Sequence, residues 1–314
     1  MKKPVLKTTL LYAVVFIMVF IISPAHSYQY QKVEKRPDFQ WPEGKKMGLS
    51  LTFDDARLSQ PDKGIPLLDK YSVKATFYLS PDNMNQRLAA WEKAVTDGHD
   101  IGNHSVFHPC SGNFAWSRDH ALENYSLEEM SRELDSASNI IIKMLGVKPV
   151  SFAFPCGQTF IGRGNMTRSY VPLISAKFET GRVWLSEGPN DPVFCDFSQL
   201  TGMELDGKSF DQIKSLIEDA KSKGQWLILA GHEMNDSGSQ TSLLVTIEAI
   251  CKYASDPANG IWIDNVHNIA AYVKAKRGEE PLTETPVSKN SFGARTLFDE
   301  MPKSIDINAL NNLR

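Results

Sequence analysis

From about residue 45 to residue 276, short runs of apolar and β-branched residues alternate with longer amphipathic runs. This alternation predicts an α/β fold in which helical crossovers connect the strands of a parallel sheet, as an open doubly wound sheet or a closed barrel. The pattern covers about 230 residues, which fits one domain. The clearest helix follows the capping box Ser126-x-x-Glu129 and ends before Gly146. The predicted strands are 47–53, 73–79, 99–102, 150–154, 178–183, 200–205, 226–230 and 260–263, and the predicted helices are 85–96, 127–145, 209–221, 243–254 and 268–276.

The two ends of the chain do not follow this pattern. Lys2, Lys3 and Lys7 precede an apolar run over 10–22, and small residues follow at 24–27, which is typical of an export signal. The run is shorter than the roughly 20 residues of a membrane-spanning helix, although a retained anchor is the alternative. We therefore predict a signal peptide at 1–27, a linker at 28–44, the domain at 45–277 and a tail at 278–314. The mature protein would be periplasmic or secreted, with no stable membrane span.

The charged residues argue against nucleic acid and nucleotide as partners. With 34 basic and 37 acidic residues, the net charge of −3 provides no basic surface for a polyanion. Residues 202–209 match the phosphate-loop pattern, but Glu204 and Asp206 would put negative charges where a phosphate must bind. We expect a strand there, followed by a turn at Asp206-Gly207.

Four cysteines would lie in an oxidising compartment after export: Cys110, Cys156, Cys195 and Cys251. Four cysteines allow three disulfide pairings, among which the sequence does not choose, and each thiol can also be free and buried. No C-x-x-C spacing is present, which argues against a zinc knuckle or a thioredoxin-like redox pair.

Two motifs concentrate residues that bind metals. Asp54 and Asp55 end an apolar strand, and because neighbouring strand residues point to opposite faces, the two acids are expected to do different jobs. His104 and His108 have the i, i+4 spacing that brings two imidazoles to one side of a helical turn. Two histidines and one carboxylate predict a hydrolytic zinc site or a non-haem iron site.

These residues follow the predicted strands in a consistent way. Asp54 and Asp55 end the first strand, His104 follows the third, Cys156 follows the fourth and His232 follows the run 226–230. In a parallel α/β fold the carboxyl ends of the strands meet on one face, where such folds have their active sites. We therefore predict metal-assisted hydrolysis, with Asp55 as a metal ligand, Asp54 as the base and His232 as the acid.

The same motifs resemble those of the polysaccharide deacetylases, the carbohydrate esterases with a NodB-homology domain. The resemblance covers about residues 45–275 and is most specific where the paired acids and the two histidines occur in this order. It is carried by Thr52-Phe53-Asp54-Asp55, His104-Ser105-x-x-His108, Phe154-Pro155-Cys156-Gly157, Leu227-Ile228-Leu229-x-x-His232 and Ile261-Trp262-Ile263-Asp264-Asn265.

The resemblance implies a distorted (β/α) barrel with about seven parallel strands. It also implies a divalent ion, usually zinc, held by Asp55, His104 and His108, with Asp54 as base and His232 as acid. The backbone N–H of Cys156 would help to stabilise the oxyanion of the reaction.

Several positions depart from the family pattern. Ala56 replaces a glycine that often follows the paired acids, and Cys156 replaces an aromatic residue. Ala153 stands where many members have an arginine that orients the base, and the acidic partner motif of that arginine is not recognisable over 191–196. Some branches of the family lack the arginine.

Three functional hypotheses follow. The first is a metal-dependent deacetylase of an N-acetylated polysaccharide, such as a chitin-like glycan, poly-N-acetylglucosamine or peptidoglycan, with O-acetyl xylan as an alternative substrate. The second is a catalytically impaired relative that binds carbohydrate. The third is a non-haem iron oxygenase, which usually has an all-β fold. The loops 109–124 and 158–168 carry Phe114, Trp116 and Phe160, which either stack on sugar rings or pack against the protein.

Overall fold

The computed structural model describes residues 39–279. The predicted signal peptide, most of the predicted linker, and the predicted tail from residue 280 onward lie outside the described residues. The helices are α1 (Ile65–Lys70), α2 (Pro81–Asn85), α3 (Leu88–Thr96), α4 (Leu127–Leu145), α5 (Val171–Lys177), α6 (Phe210–Ser222), α7 (Leu244–Ser255) and α8 (Val266–Arg277). The strands are β1 (Met47–Asp54), β2 (Thr76–Leu79), β3 (Asp100–Asn103), β4 (Ser151–Ala153), β5 (Phe160–Ile161), β6 (Arg168–Ser169), β7 (Thr180–Arg182), β8 (Met203–Glu204), β9 (Trp226–Gly231), β10 (Glu233–Asn235), β11 (Thr241–Leu243) and β12 (Ile261–Ile263).

Eight of these strands form one parallel sheet in the order β7-β4-β3-β2-β1-β9-β8, with β12 also paired to β1. A parallel bridge between Arg182 and Leu200 joins β7 to the segment before β8, so that the sheet curls round towards its other edge. The predicted fold, a distorted α/β barrel of about seven parallel strands, is confirmed, and β12 adds an eighth strand.

The predicted strands all appear, although most are shorter at their ends than the apolar runs that predicted them. Helix α4 begins and ends as predicted: Ser126 and Glu129 form the capping box, and Gly146 ends the helix with a φ of 71°. The predicted helix 85–96 begins three residues later, as α3, and the short helix α2 lies just before it. Helices α1 and α5 were not predicted, because each is only six or seven residues long and shows little periodicity.

Strand β1 lies at the centre of the core, between β9 on one side and β2 and β12 on the other. All eight of its residues are buried. Leu49, Leu51 and Phe53 belong to the largest apolar cluster, whose burial stabilises the domain. The last residue of β1 is Asp54, so a fully buried strand positions this carboxylate.

The end of the predicted linker packs against the domain. Trp41 is buried in an apolar cluster with Trp226 and Val266, and its Nε1 donates a hydrogen bond to the carbonyl of Gly224 at 3.0 Å. Within residues 39–279, every helix is too short or too polar to cross a membrane.

Candidate active site

Asp55, His104 and His108 come together at the carboxyl ends of the central strands. The Oδ1 atom of Asp55 lies 3.4 Å from Nε2 of His104 and 3.5 Å from Nε2 of His108. The three ligand atoms all lie within 4.8 Å of one another, so one ion can contact all three. One carboxylate and two imidazoles are donors that suit zinc and similar divalent ions. The residues therefore fit the predicted metal.

The two histidines do not lie on a helical turn, so this part of the sequence prediction is wrong. Both belong to the irregular segment after β3, in which Ser105 and His108 have φ values of 63° and 49°. Both residues are in the left-handed region, which a helical turn does not contain. The Asn103 side chain accepts a hydrogen bond from the N–H of Ser105, and the Ser105 hydroxyl accepts one from the N–H of His108. Local turns, rather than helical spacing, bring the imidazoles together.

Glu133 of α4 binds the backbone of this segment. Its Oε1 accepts hydrogen bonds from the N–H groups of Val106 and Phe107, at 2.9 and 2.7 Å. Burial raises the pKa of Glu133, although the two backbone donors oppose this effect. A buried carboxylate thus holds two of the three residues between the histidines.

The side chains of Asp54 and Asp55 do not point to opposite faces of the strand, as the sequence had predicted. Asp54 ends β1, but Asp55 and Ala56 leave the strand with φ values of 73° and 53°. Both carboxylates therefore line the same cavity. Ala56, which the resemblance marks as a departure from a family glycine, thus adopts a positive φ that glycine would adopt without steric cost.

Neighbouring groups orient the metal ligands. Nδ1 of His104 lies 2.9 Å from the carbonyl of Ala153 and donates a hydrogen bond to it. This leaves Nε2 with a lone pair that can bind a metal. Arg57 binds the second oxygen of Asp55, with Nη2 at 2.9 Å and Nε at 3.1 Å, so that Oδ1 faces the histidines. Burial and the neighbouring His104 lower the pKa of His108 to about 4, which keeps the imidazole neutral for metal binding.

Arg182 binds Asp54, the predicted base. Its Nη2 lies 2.5 and 2.6 Å from the two carboxylate oxygens, and both side chains are buried. Burial alone would raise the pKa of Asp54, but Arg182, followed by His104 and His232, lowers it below its usual range. The carboxylate is therefore ionised at neutral pH.

Sequence reasoning missed Arg182, although it had noted an absent arginine at Ala153. In the sheet, Ala153 of β4 and Arg182 of β7 are direct partners in a parallel pair. The guanidinium thus reaches the base from the neighbouring strand. Since the chain separates the two positions by 29 residues, only a correct assignment of the strand register would have found it.

Asp206 binds His232, the predicted acid. Nδ1 of His232 lies 2.6 Å from Oδ2 of Asp206, while Oδ1 accepts hydrogen bonds from the Ser242 hydroxyl and the His232 N–H. Burial lowers the pKa of His232, but Asp206, Asp54 and Asp55 outweigh this effect and raise it above its usual value. Gly231 leaves room for this arrangement, because a Cβ there would lie 1.9 Å from Ser242 Oγ.

The sequence also did not indicate Asp206, because within the phosphate-loop pattern of residues 202–209 its carboxylate appears only as a charge that excludes a phosphate. The segment contains β8 and the predicted turn at Asp206-Gly207, followed by the start of α6. The signal that could have found it is its place just after a predicted strand, on the same rim as the other site residues.

Gln60 connects Asp54 and His232, the predicted base and acid, through their backbone carbonyls. Its Nε2 donates to the carbonyl of Asp54 at 2.6 Å and to that of His232 at 2.9 Å, and its side chain is fully buried. It begins the π-helical turn Gln60–Gly64, a conformation that often occurs near functional sites.

Cys156 and Cys110 form a disulfide, which is one of the pairings that the sequence left open. Cys195 and Cys251 are free. The bridge connects the segment just after His108 to the turn at Cys156, whose φ is 54°.

One cavity of about 850 Å³ contains all six predicted site residues. Phe154 and Trp184 contribute apolar surface to it, and the Trp184 ring contacts His232 edge-on at 5.0 Å between centroids. An ion, a base and an acid would therefore share one partly apolar cavity, as a hydrolytic site requires. The residues in question are Asp54, Asp55, His104, His108, Cys156 and His232.

Comparison with known proteins agrees with this geometry. The family model described as polysaccharide deacetylase matches residues 42–165. An uncharacterized protein of Bacillus subtilis, YlxY, is 35% identical over 97 residues, which are 31% of this chain and 27% of that protein. The peptidoglycan-N-acetylglucosamine deacetylase PgdA of Listeria monocytogenes is 26% identical over 110 residues, covering 35% of this chain and 21% of the relative. The chain thus spans about a quarter of the length of these two relatives.

A solved structure from Mycobacterium smegmatis that is designated a polysaccharide deacetylase has the same fold. It superposes with a TM-score of 0.57 at 15% sequence identity, covering 81% of this chain and 98% of that one. At this identity the similarity concerns the fold alone.

Proposed function

We propose that the chain belongs to the polysaccharide deacetylase family, whose model matches residues 42–165, and that it is a metal-dependent hydrolase that removes acetyl groups from an N-acetylated polysaccharide. The observation that carries the proposal is the Asp55, His104 and His108 cluster in one cavity with a buried base and a buried acid. Peptidoglycan is the first substrate to test, since two relatives are named as peptidoglycan-N-acetylglucosamine deacetylases.

Asp55, His104 and His108 would hold a divalent ion, zinc in our proposal, which when bound would act as a Lewis acid towards the acetyl carbonyl and would lower the pKa of a water. Asp54 accepts a proton from the water, and the water oxygen attacks the carbonyl carbon. The backbone N–H of Cys156 stabilises the oxyanion. His232 then protonates the leaving nitrogen, the C–N bond breaks, and acetate and a free amine are released.

The buried partners of Asp54 and His232 support the roles of base and acid. Arg182 keeps Asp54 ionised and fixes both of its oxygens, while Asp206 raises the pKa of His232 and orients its ring. The missing family arginine had motivated the hypothesis of an impaired carbohydrate binder. Since Arg182 provides a guanidinium at the base, we favour an active enzyme.

We further propose that the protein is exported, on the basis of the signal-like residues 1–27. A cell-wall glycan would then be accessible to it.

The test is acetate release from peptidoglycan, acetylated chitooligosaccharides and acetylated xylan, before and after chelation and with zinc restored. We expect chelation to abolish release and zinc to restore it. Asp54→Asn should lower kcat by about 10²- to 10⁴-fold, whereas the exposed control Asp211→Asn should not. Absence of release from every substrate by the zinc-loaded protein would contradict the proposal.

A further inference from the structure

The two ring nitrogens of His108 face different groups. Nε2 lies 3.5 Å from Oδ1 of Asp55, on the side of the metal site proposed above. Nδ1 lies 3.6 Å from Sγ of Cys110, which is bonded to Cys156. The ligand atoms of His108, Cys110 and Cys156 all lie within 4.8 Å of one another, as those of the proposed metal site also do. His108 thus stands between two sets of potential metal ligands.

The second set cannot bind an ion while the disulfide is intact, because cysteine binds metals as a thiolate. A reducing dithiol would open the bridge. Cys156 is the sulfur within its reach, since this residue is partly exposed and lines the cavity, whereas Cys110 is fully buried. The first thiolate of the dithiol bonds to the Cys156 sulfur, and Cys110 leaves and takes a proton. The second thiolate then displaces Cys156, which also takes a proton, as the dithiol becomes a disulfide.

Hydrogen bonds beside the bridge hold the two cysteine segments together. The Ser111 N–H donates to Oε1 of Gln158 at 2.8 Å, which joins the segment after Cys110 to the segment after Cys156. The Ser117 hydroxyl accepts from the Cys110 N–H at 2.9 Å and donates to its carbonyl at 3.0 Å. None of these bonds involves sulfur, so opening the bridge does not remove them. They keep both sulfur atoms near the imidazole.

We propose that reduction of the disulfide creates a second metal site, in which Cys110, Cys156 and Nδ1 of His108 bind a thiophilic divalent ion such as zinc. Two cysteines and one histidine are a donor set that zinc binds in proteins, with the fourth position left to water. The two thiol protons pass to solvent as the ion binds. The inference goes beyond the proposed function, since it needs a metal ion and no acetylated substrate.

The two sites exclude each other at His108. A neutral imidazole has one lone pair, on Nε2 or on Nδ1, and its other nitrogen carries the proton. An ion bound to both cysteines takes the lone pair at Nδ1, so Nε2 keeps the proton and no longer binds an ion beside Asp55 and His104. Reduction would therefore remove one ligand from the first site, and reoxidation would return it.

The experiment uses cobalt(II) as a zinc-like probe. A thiolate bound to cobalt gives a charge-transfer band in the near ultraviolet, which imidazole and carboxylate ligands do not give. The protein is reduced with dithiothreitol, which is then removed under nitrogen, and a thiol titration in denaturant checks that two thiols have been gained. We expect the band in the reduced protein and not in the oxidised protein. Cys110→Ser/Cys156→Ser, which keeps the free thiols of Cys195 and Cys251, should give no band.

Two histidine variants separate the sites. In the reduced protein, His108→Ala should weaken cobalt binding by at least about tenfold, which is the smallest loss typical even for residues that only orient a ligand. His104→Ala should leave the band unchanged, because His104 belongs only to the first site. Unchanged affinity in His108→Ala would overturn the shared imidazole.

Three results would overturn the proposal as a whole. The first is a reduced, folded protein without the band, and the second is a band that Cys110→Ser/Cys156→Ser retains. The third is unfolding on reduction, seen as a red shift of tryptophan fluorescence, since the site needs both cysteine segments in place. None of these measurements involves acetate, so a failure to release acetate would count against the proposed function alone.

Discussion

Removal of the Cys110–Cys156 disulfide should destabilise the protein by about 4 kcal/mol. The two cysteines are 46 residues apart in sequence. In the chain-entropy treatment, a cross-link that closes a loop of this length lowers the entropy of the unfolded chain by about 13 cal/mol/K, which is about 4 kcal/mol at 25 °C. The double variant Cys110→Ala/Cys156→Ala loses this restraint.

The assay is urea denaturation followed by tryptophan fluorescence. If the free energy of unfolding falls by about 4 kcal/mol and m is about 3 kcal/mol/M, the midpoint moves down by about 1.3 M. The matched control is Cys195→Ala, since Cys195 is free and only partly buried. It should shift the midpoint far less. The double variant should lose more stability than Cys195→Ala, because loss of the cross-link acts through the unfolded state.

The double variant Cys110→Ala/Cys156→Ala should also lose activity, because the disulfide connects the loop of His108 to the turn of Cys156. A midpoint within about 0.3 M of the parent protein, equivalent to about 1 kcal/mol, would refute the reasoning. That result would mean that the loop hydrogen bonds alone hold this segment in place.

Three further variants test the residues around the metal cluster. Arg182→Met should lower kcat by more than tenfold and reduce stability by about 3–5 kcal/mol, since it leaves Asp54 buried without a partner; wild-type kcat and melting temperature would contradict the assigned pairing. Asp206→Asn should move the basic limb of the pH–kcat profile to lower pH: Asp206 raises the pKa of His232, the acid must be protonated, and a lower pKa means that the proton is lost earlier as the pH rises. A basic limb that stays in place would show that another group is the acid. Arg57→Ala should weaken zinc binding by about 10- to 100-fold in competition with a chromogenic chelator, because Arg57 holds Asp55 with Oδ1 towards the histidines; equal or tighter binding would mean that the guanidinium does not orient the ligand.

Much of the fold could be predicted from the sequence because each buried strand is a short apolar run with a clear end. Residues 47–53 read as a strand and are one, and the acids that follow them lie at the carboxyl edge of the sheet. The capping box of Ser126 is equally local, since it depends on side chains three residues apart. Where the cause of a structure lies within a few residues, the pattern predicts it.

The contacts that tune the candidate site could not be predicted in this way. Arg182 reaches Asp54 because β4 and β7 pair in one register, and Asp206 reaches His232 because β8 pairs with β9. The bridge between Cys110 and Cys156 likewise depends on two loops that meet only in the folded chain. The prediction for the histidine segment was wrong for another reason. The i, i+4 spacing of the histidines suggested a helix, whereas Ser105 and His108 have left-handed backbone conformations.

The most direct test of the account is an anomalous difference map, recorded at the zinc edge, from crystals grown with zinc and without chelators. We predict one peak within about 2.0–2.2 Å of Asp55 Oδ1 and of Nε2 of both His104 and His108. The peak should be absent in His108→Ala crystals grown in the same way. A map with no peak between these three side chains, or with zinc bound only elsewhere on the protein, would contradict the central claim that this cluster is a metal site.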